Sequence, residues 1–219
     1  MNNASPTGAT ERLIESLTRD LQPTPRHAVP ARLTVGVIAG AAASLALLLV
    51  VLGARPDLAA VASSASFWMK VAYTIGTASA ALFVAARLSR PGGRPSATWI
   101  VIVPFLLYLP VGLWELASTD TADWAPMLLG HGWRECTWLV VALSVPVYLG
   151  LWWAFKRLAP TELALAGAVA GLSSAAISAL VYCIHCPSNG AVFALAWYTL
   201  AFGVASGLGA LAGTKLLRW

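Results

Sequence analysis

Charge-free apolar stretches recur along the chain, running from Leu33 to Ala54, Val71 to Ala86, Pro95 to Trp114, Cys136 to Phe155 and Leu163 to Thr214. A bilayer crossing needs roughly 20 predominantly apolar residues as a helix. The last stretch is long enough for two crossings, and Pro187-Ser188-Asn189-Gly190 divides it with strong turn chemistry. The pattern predicts an all-α polytopic membrane protein with six transmembrane helices, at about residues 33–53, 67–88, 97–115, 133–155, 162–184 and 191–213. An even number of crossings puts both termini on one side.

Ahead of the first stretch the period changes. An amphipathic helix is predicted over about residues 10–22, with Leu13, Ile14, Leu17 and Leu21 on one face and Arg12, Glu15 and Arg19 on the others. Pro23, Pro25 and Pro30 follow and predict a semi-stiff tether. Residues 1–32 thus read as an N-terminal segment and residues 33–219 as the membrane domain. A lone helix of this length is marginal in water, so it needs a partner surface, either a protein or the bilayer. Its mixed charge argues mildly against the bilayer, where such helices are richer in Lys and Arg. Leu13, Ile14, Leu17, Leu21, Arg12 and Glu15 are the candidate partner-binding residues.

Composition agrees with the pattern. Of 219 residues, 58% are hydrophobic and 11% charged, and the mean hydropathy is +0.74. The lipid bilayer is therefore the first partner, and six crossings leave no room for a large soluble catalytic domain. The first apolar stretch is too long and too far from the start for a signal peptide. The net charge of +5 does not point to direct nucleic-acid binding, because the basic residues flank apolar stretches and form no dense patch.

Those flanking charges predict orientation. Arg12, Arg19, Arg26, Arg32, Arg87, Arg90, Arg94, Lys156, Arg157, Lys215 and Arg218 share a side with the N-terminus, whereas only Arg55, Lys70 and Arg134 lie opposite. Both termini are accordingly expected in the cytoplasm. Most of the Trp residues fall near predicted span ends, where an indole favours the headgroup region. Small residues at i, i+4 (Gly36 and Gly40, Gly167 and Gly171, Gly203 and Gly207, Gly209 and Gly213) favour close helix packing within the chain over a dimerisation code. Pro104, Pro110 and Pro146 are candidate kinks.

No charged residue is expected at the middle of a span, which weakens the alternative of a small-solute transporter or channel. The modest polar stripe of Ser173, Ser174 and Ser178 reads as helix packing.

The candidate chemistry lies in three cysteines and two histidines. Cys136 follows His131 and Glu135 where the fourth span begins, and Cys183, His185 and Cys186 occupy the turn between the fifth and sixth. On the outer side of an inner membrane the compartment is oxidising, and a Cys136 to Cys186 disulfide is chemically reasonable there. Alternatively, thiolates with His131 or His185 could capture a thiophilic metal ion transiently. For Cys136 and Cys186 a redox or metal role is favoured over a purely structural bridge. Cys183 reads as a small buried side chain. No resident cofactor is expected, and no enzyme: three cysteines are too few for a quinone-linked thiol relay, and no phosphate loop, nucleophile elbow or zinc-protease helix is present.

Several stretches carry a family resemblance together: Leu13-Ile14-Glu15-Ser16-Leu17, Gly132-Trp133-Arg134-Glu135-Cys136, Phe155-Lys156-Arg157-Leu158-Ala159-Pro160-Thr161, Tyr182 to Pro187, and Trp197-Tyr198-Thr199-Leu200 with the ending Leu216-Leu217-Arg218-Trp219. The chain resembles the NrsF family of six-span bacterial anti-sigma factors from about Glu11 to Trp219. The resemblance implies an inner-membrane protein whose cytoplasmic N-terminus sequesters an extracytoplasmic-function sigma factor. It also implies that Cys136 and Cys186, at the outer face, take part in sensing oxidant or heavy-metal stress, with Cys183 an addition to the family pair.

Overall fold

Inside a bilayer the backbone has no water to bond, so helices that satisfy their own amides are the element these apolar stretches must form. The computed structural model of the chain describes residues 6–19, 28–89, 95–130, 132–156, 158, 160 and 162–216. Among them every regular element is helical, and six helices are long and apolar enough to cross a membrane. The first span is Ala28–Val51 and the second Ala65–Leu88. The third starts as a 3-10 segment, Pro95–Ile102, and continues as Val103–Ala117. The fourth is Trp133–Lys156, the fifth Leu163–Tyr182 and the sixth Ala191–Leu216. Between spans lie the short helices Leu58–Val61 and Trp124–Leu129.

The fifth span is the hub, packed by the second, fourth and sixth, while the first lies on the fourth and the third leans on the second. Glycine decides two of these contacts. A Cβ on Gly167 or Gly171 would strike the backbone of Gly209 or Ala205, and one on Gly209 or Gly213 would strike the fifth span in return. Gly36 and Gly40 likewise lie directly on the backbone of Gly150 and Val147. Only residues without a side chain allow such approach, and in lipid this dispersion-rich contact supplies most of the association. Gly203 and Gly207 differ, since nothing lies within 4 Å of an added Cβ at either.

Two buried clusters result, one at each end of the bundle. Leu33, Val84, Leu88, Leu151, Phe155 and Ala166 form the one at the end where the first span begins. Leu48, Phe67, Val140, Tyr182, Phe193 and Tyr198 form the other, around the three cysteines. The side facing lipid stays apolar, with Val50, Leu107 and Trp114 well exposed.

Some boundaries differ from the sequence reading for local reasons. Pro30, read as part of the tether, stands in the first turn of the first span, where its missing N–H is one the helix could not use anyway. The N-terminal helix is Pro6–Arg19 and opens on a proline for the same reason. Ser173 and Ser174 donate back to Val169 O and Ala170 O at 2.7 Å, and Ser178 donates to Leu143 O of the fourth span at 2.9 Å. The serine stripe is thus spent on packing.

Gly171→Val should destabilise the folded bundle by about 1–3 kcal/mol through overpacking, whereas Gly207→Ala, placed in open space, should leave it unchanged. Thermal unfolding in detergent checks the pair.

Candidate functional site

Backbone hydrogen bonding carries the fifth helix slightly past its end, with Cys183 N–H donating to Ala179 O at 3.0 Å and Cys186 N–H to Tyr182 O at 2.9 Å. That continuation stacks Cys183 and Cys186 one turn apart, and Pro187 then stops it. Cys136 sits in the first turn of the fourth span, behind Gly130 and Gly132, whose φ values of 51° and 81° need glycine. A Cβ at Gly130 would also meet the Phe193 ring and the Ser188 hydroxyl, so this loop lies tightly against the fifth-to-sixth turn.

All three cysteines are free and 1% exposed. The Cys136 and Cys186 thiols are close neighbours. Cys186 Sγ also lies 3.4 Å from Ser188 O, and Cys183 Sγ lies 3.9 Å from Tyr198 Oη. The influence of Cys136 outweighs burial and, with Lys70 nearby, holds the Cys186 thiol well below the ordinary range.

Two cations fasten the turn. Lys70, in the second turn of the second span, is fully buried; its ammonium donates to Ser188 O at 2.7 Å and to Asn189 Oδ1 at 3.2 Å and lies 5.7 Å from the centre of the Tyr198 ring. Arg55, in the loop after the first span, donates to Cys186 O at 2.7 Å and is clamped by Asp57 at 2.7 and 2.8 Å. That pairing raises the Arg55 pKa and lowers that of Asp57. His185 completes the tie, with Nδ1 2.9 Å from Gly53 O.

The sixth span answers from the other side. Its first turns include a π turn, Ala194–Tyr198. Thr137 of the fourth span donates to Trp197 O on that turn at 3.2 Å. Glu115, at the end of the third span, accepts from Val192 N–H at 2.8 Å and so caps the start of the sixth. Tyr198, fully buried on the π turn, is thereby aimed at the thiols.

The structure thus brings together Cys136, Cys183 and Cys186. His185 is in the same turn but spends Nδ1 on a backbone carbonyl. His131 lies outside the described residues, and no group of three His, Cys, Asp or Glu among the described residues could hold a metal ion. At the N-terminus Leu13, Ile14 and Leu17 are exposed, and Glu15 and Arg19 form a weak surface pair at 3.9 Å. Leu21, Pro23, Pro25, Arg26, Arg90, Arg94, Arg157 and Arg218 lie outside the described residues. Lys70 and Arg55, read from sequence only as orientation charges, are structural members of the site. The signal available for Lys70 was its position inside the predicted 67–88 span, where a charge is costly unless it is used.

The fold and the site define a six-span helical membrane protein that keeps a cluster of buried thiols at the end of the bundle opposite the start of its first span. Over residues 17–219 the chain matches the family model "NrsF: Negative regulator of sigma F", and it belongs to that family. It is 37% identical over 216 residues to a "Probable anti-sigma-F factor NrsF" of Azospira oryzae, covering 96% of this chain and 99% of the relative. It is 36% identical over 213 residues to an "Anti-sigma-F factor NrsF" of Caulobacter vibrioides, again covering 96% and 99%. No solved structure matches.

Mild oxidation of the full-length protein should join Cys136 to Cys186 and leave Cys183 open to alkylation after denaturation. Peptide mapping checks it, and a bond to Cys183 would contradict the arrangement.

Proposed function

We propose that this chain is an inner-membrane anti-sigma factor that holds an extracytoplasmic-function sigma factor through its cytoplasmic N-terminal segment. It releases that partner on periplasmic oxidant or heavy-metal stress registered at Cys136 and Cys186. The observation that carries the reading is the end-to-end correspondence with relatives named anti-sigma-F factors. The bias of Lys and Arg toward the loops on the N-terminal side supports the orientation.

The arrangement of the ends suits the role. The N-terminal helix has an apolar face with Leu13, Ile14 and Leu17 exposed by 59%, 55% and 65%, the kind of stripe that lays into a groove on a partner. At the other end, the thiol turn is tied to the first loop, the second span and the fourth, so a covalent change there must disturb several helices together. For release, one of the resulting packings has to bind the partner less well than the other. A transporter reading gains no support from the serine stripe, whose hydroxyls are all engaged.

Two outcomes are expected in cells carrying the full-length protein. Leu13→Asp and Leu17→Asp should each lower retention of the sigma factor in the membrane fraction by about tenfold or more, the loss of roughly one apolar anchor. Cys136→Ser and Cys186→Ser should retain it but alter its release on oxidant exposure. Undiminished retention in both leucine variants would sink the binding role, and unaltered release in both cysteine variants the sensing role.

A further inference from the structure

Lys70 is a buried cation that forms no ion pair with a carboxylate among the described residues. The ion pairs among the described residues are Glu15 with Arg19 and Arg55 with Asp57, and Lys70 is in neither. Its polar partners are a backbone carbonyl and an amide oxygen, both on the thiol turn. An ammonium taken out of water is costly unless an opposite charge or several good acceptors compensate it. The acidic groups on that turn are the thiols of Cys183 and Cys186.

The geometry selects one sulfur. Lys70 Nζ and Cys186 Sγ meet on the same atom, Ser188 O, at 2.7 and 3.4 Å. The Cys136 thiol and the Tyr198 hydroxyl are neighbours of Cys186, and the Tyr198 ring lies under the ammonium. Cys186 is therefore the thiol that shares a backbone acceptor with the buried ammonium. Cys183, by contrast, has Tyr198 Oη as its polar neighbour at 3.9 Å.

We propose that Lys70 is the counter-charge that makes Cys186 the attacking thiol toward hydroperoxides, with Cys136 as the resolving thiol. This rests on the reading of the cysteines as an oxidant sensor and assigns their order. In the first step the Cys186 thiolate attacks one peroxide oxygen: an S–O bond forms, the O–O bond breaks, and the departing oxygen takes up a proton. Cys186 is left as a sulfenic acid. In the second step the Cys136 sulfur attacks Cys186: the S–S bond forms, the S–O bond breaks, and the hydroxide leaves as water with the Cys136 proton. The thiol pair loses two electrons and the peroxide gains them. Lys70 acts through Cys186 and is a positioning residue.

The test uses the full-length protein in native membrane vesicles, hydrogen peroxide as the oxidant, dimedone to trap sulfenic acid and mass spectrometry to locate the adduct. Cys136→Ser, which cannot resolve, should accumulate the adduct on Cys186. Cys186→Ser should form adducts on the remaining cysteines about tenfold more slowly or less, as expected for thiols without the thiolate's stabilisation. In the Cys136→Ser background, Lys70→Met should slow adduct formation at Cys186 about tenfold or more, and Lys70→Arg should restore most of the rate, which loss of packing alone would not do. Equal labelling of Cys136 and Cys186 in the two serine variants would overturn the assignment, as would a Lys70→Met rate equal to that of Lys70. If Lys70→Met fails to accumulate in membranes, the comparison of the serine variants decides alone. Because the readout is chemistry at one sulfur, an adduct on Cys186 without sigma-factor release supports this assignment and overturns only the release reading.

Discussion

The backbone contact between the fifth and sixth spans is the constraint on which the rest of this structure depends. Gly167 and Gly171 lie against Ala205, Gly209 and Gly213 so closely that no side chain fits between. In lipid, where apolar surface gains nothing by leaving the tails, such close dispersion contact holds helices together. The pair then forms a rigid hairpin whose turn carries Cys183, His185 and Cys186. The second, fourth and sixth spans are placed by reference to the fifth.

From that hairpin follows the polar architecture of the thiol end. Seating the sixth span this closely brings Tyr198 beside Cys183 and Lys70, and Thr137 holds the Trp197 carbonyl on the π turn. Each remaining tie joins the turn to a different part of the chain: Arg55 and Gly53 from the first loop, Lys70 from the second span and Cys136 from the fourth. Buried polar groups in low dielectric are costly when unpaired and strong when paired. A change at one sulfur therefore redistributes bonds among several helices, and close-packed helices tend to respond by shifting between discrete arrangements. The chemistry is local, but its consequences are shared.

Much of this was legible in the chain. The six spans, the turn at Pro187 to Gly190 and the small-residue pairs all follow from local rules: a charge-free stretch of the right length, a cluster of turn formers, a glycine every fourth position. The neighbourhood of Cys136 and Cys186 was also legible, because an even count of spans puts the start of the fourth and the end of the fifth on one side. The small-residue pattern could not say which glycines touch: Gly203 and Gly207 share the spacing of the others yet face open space. Pro30 shows the reverse limit, since the same residue breaks a helix or begins one according to its position in the turn.

The sequence by itself determined the class of fold, the end of the bundle at which the cysteines lie and the apolar face of the N-terminal helix, because hydropathy, turn chemistry and helical period are properties of neighbours along the chain. Tertiary structure alone decided that Lys70 and Arg55 turn inward onto the thiol turn, that Tyr198 reaches the cysteines from a π turn, and that Cys186 shares the Ser188 carbonyl with a buried positive charge. Electrostatic environment depends on what distant segments bring within a few ångströms and on how much water they exclude. Lys70 and Ser188 are 118 residues apart in the chain and 2.7 Å apart in the fold.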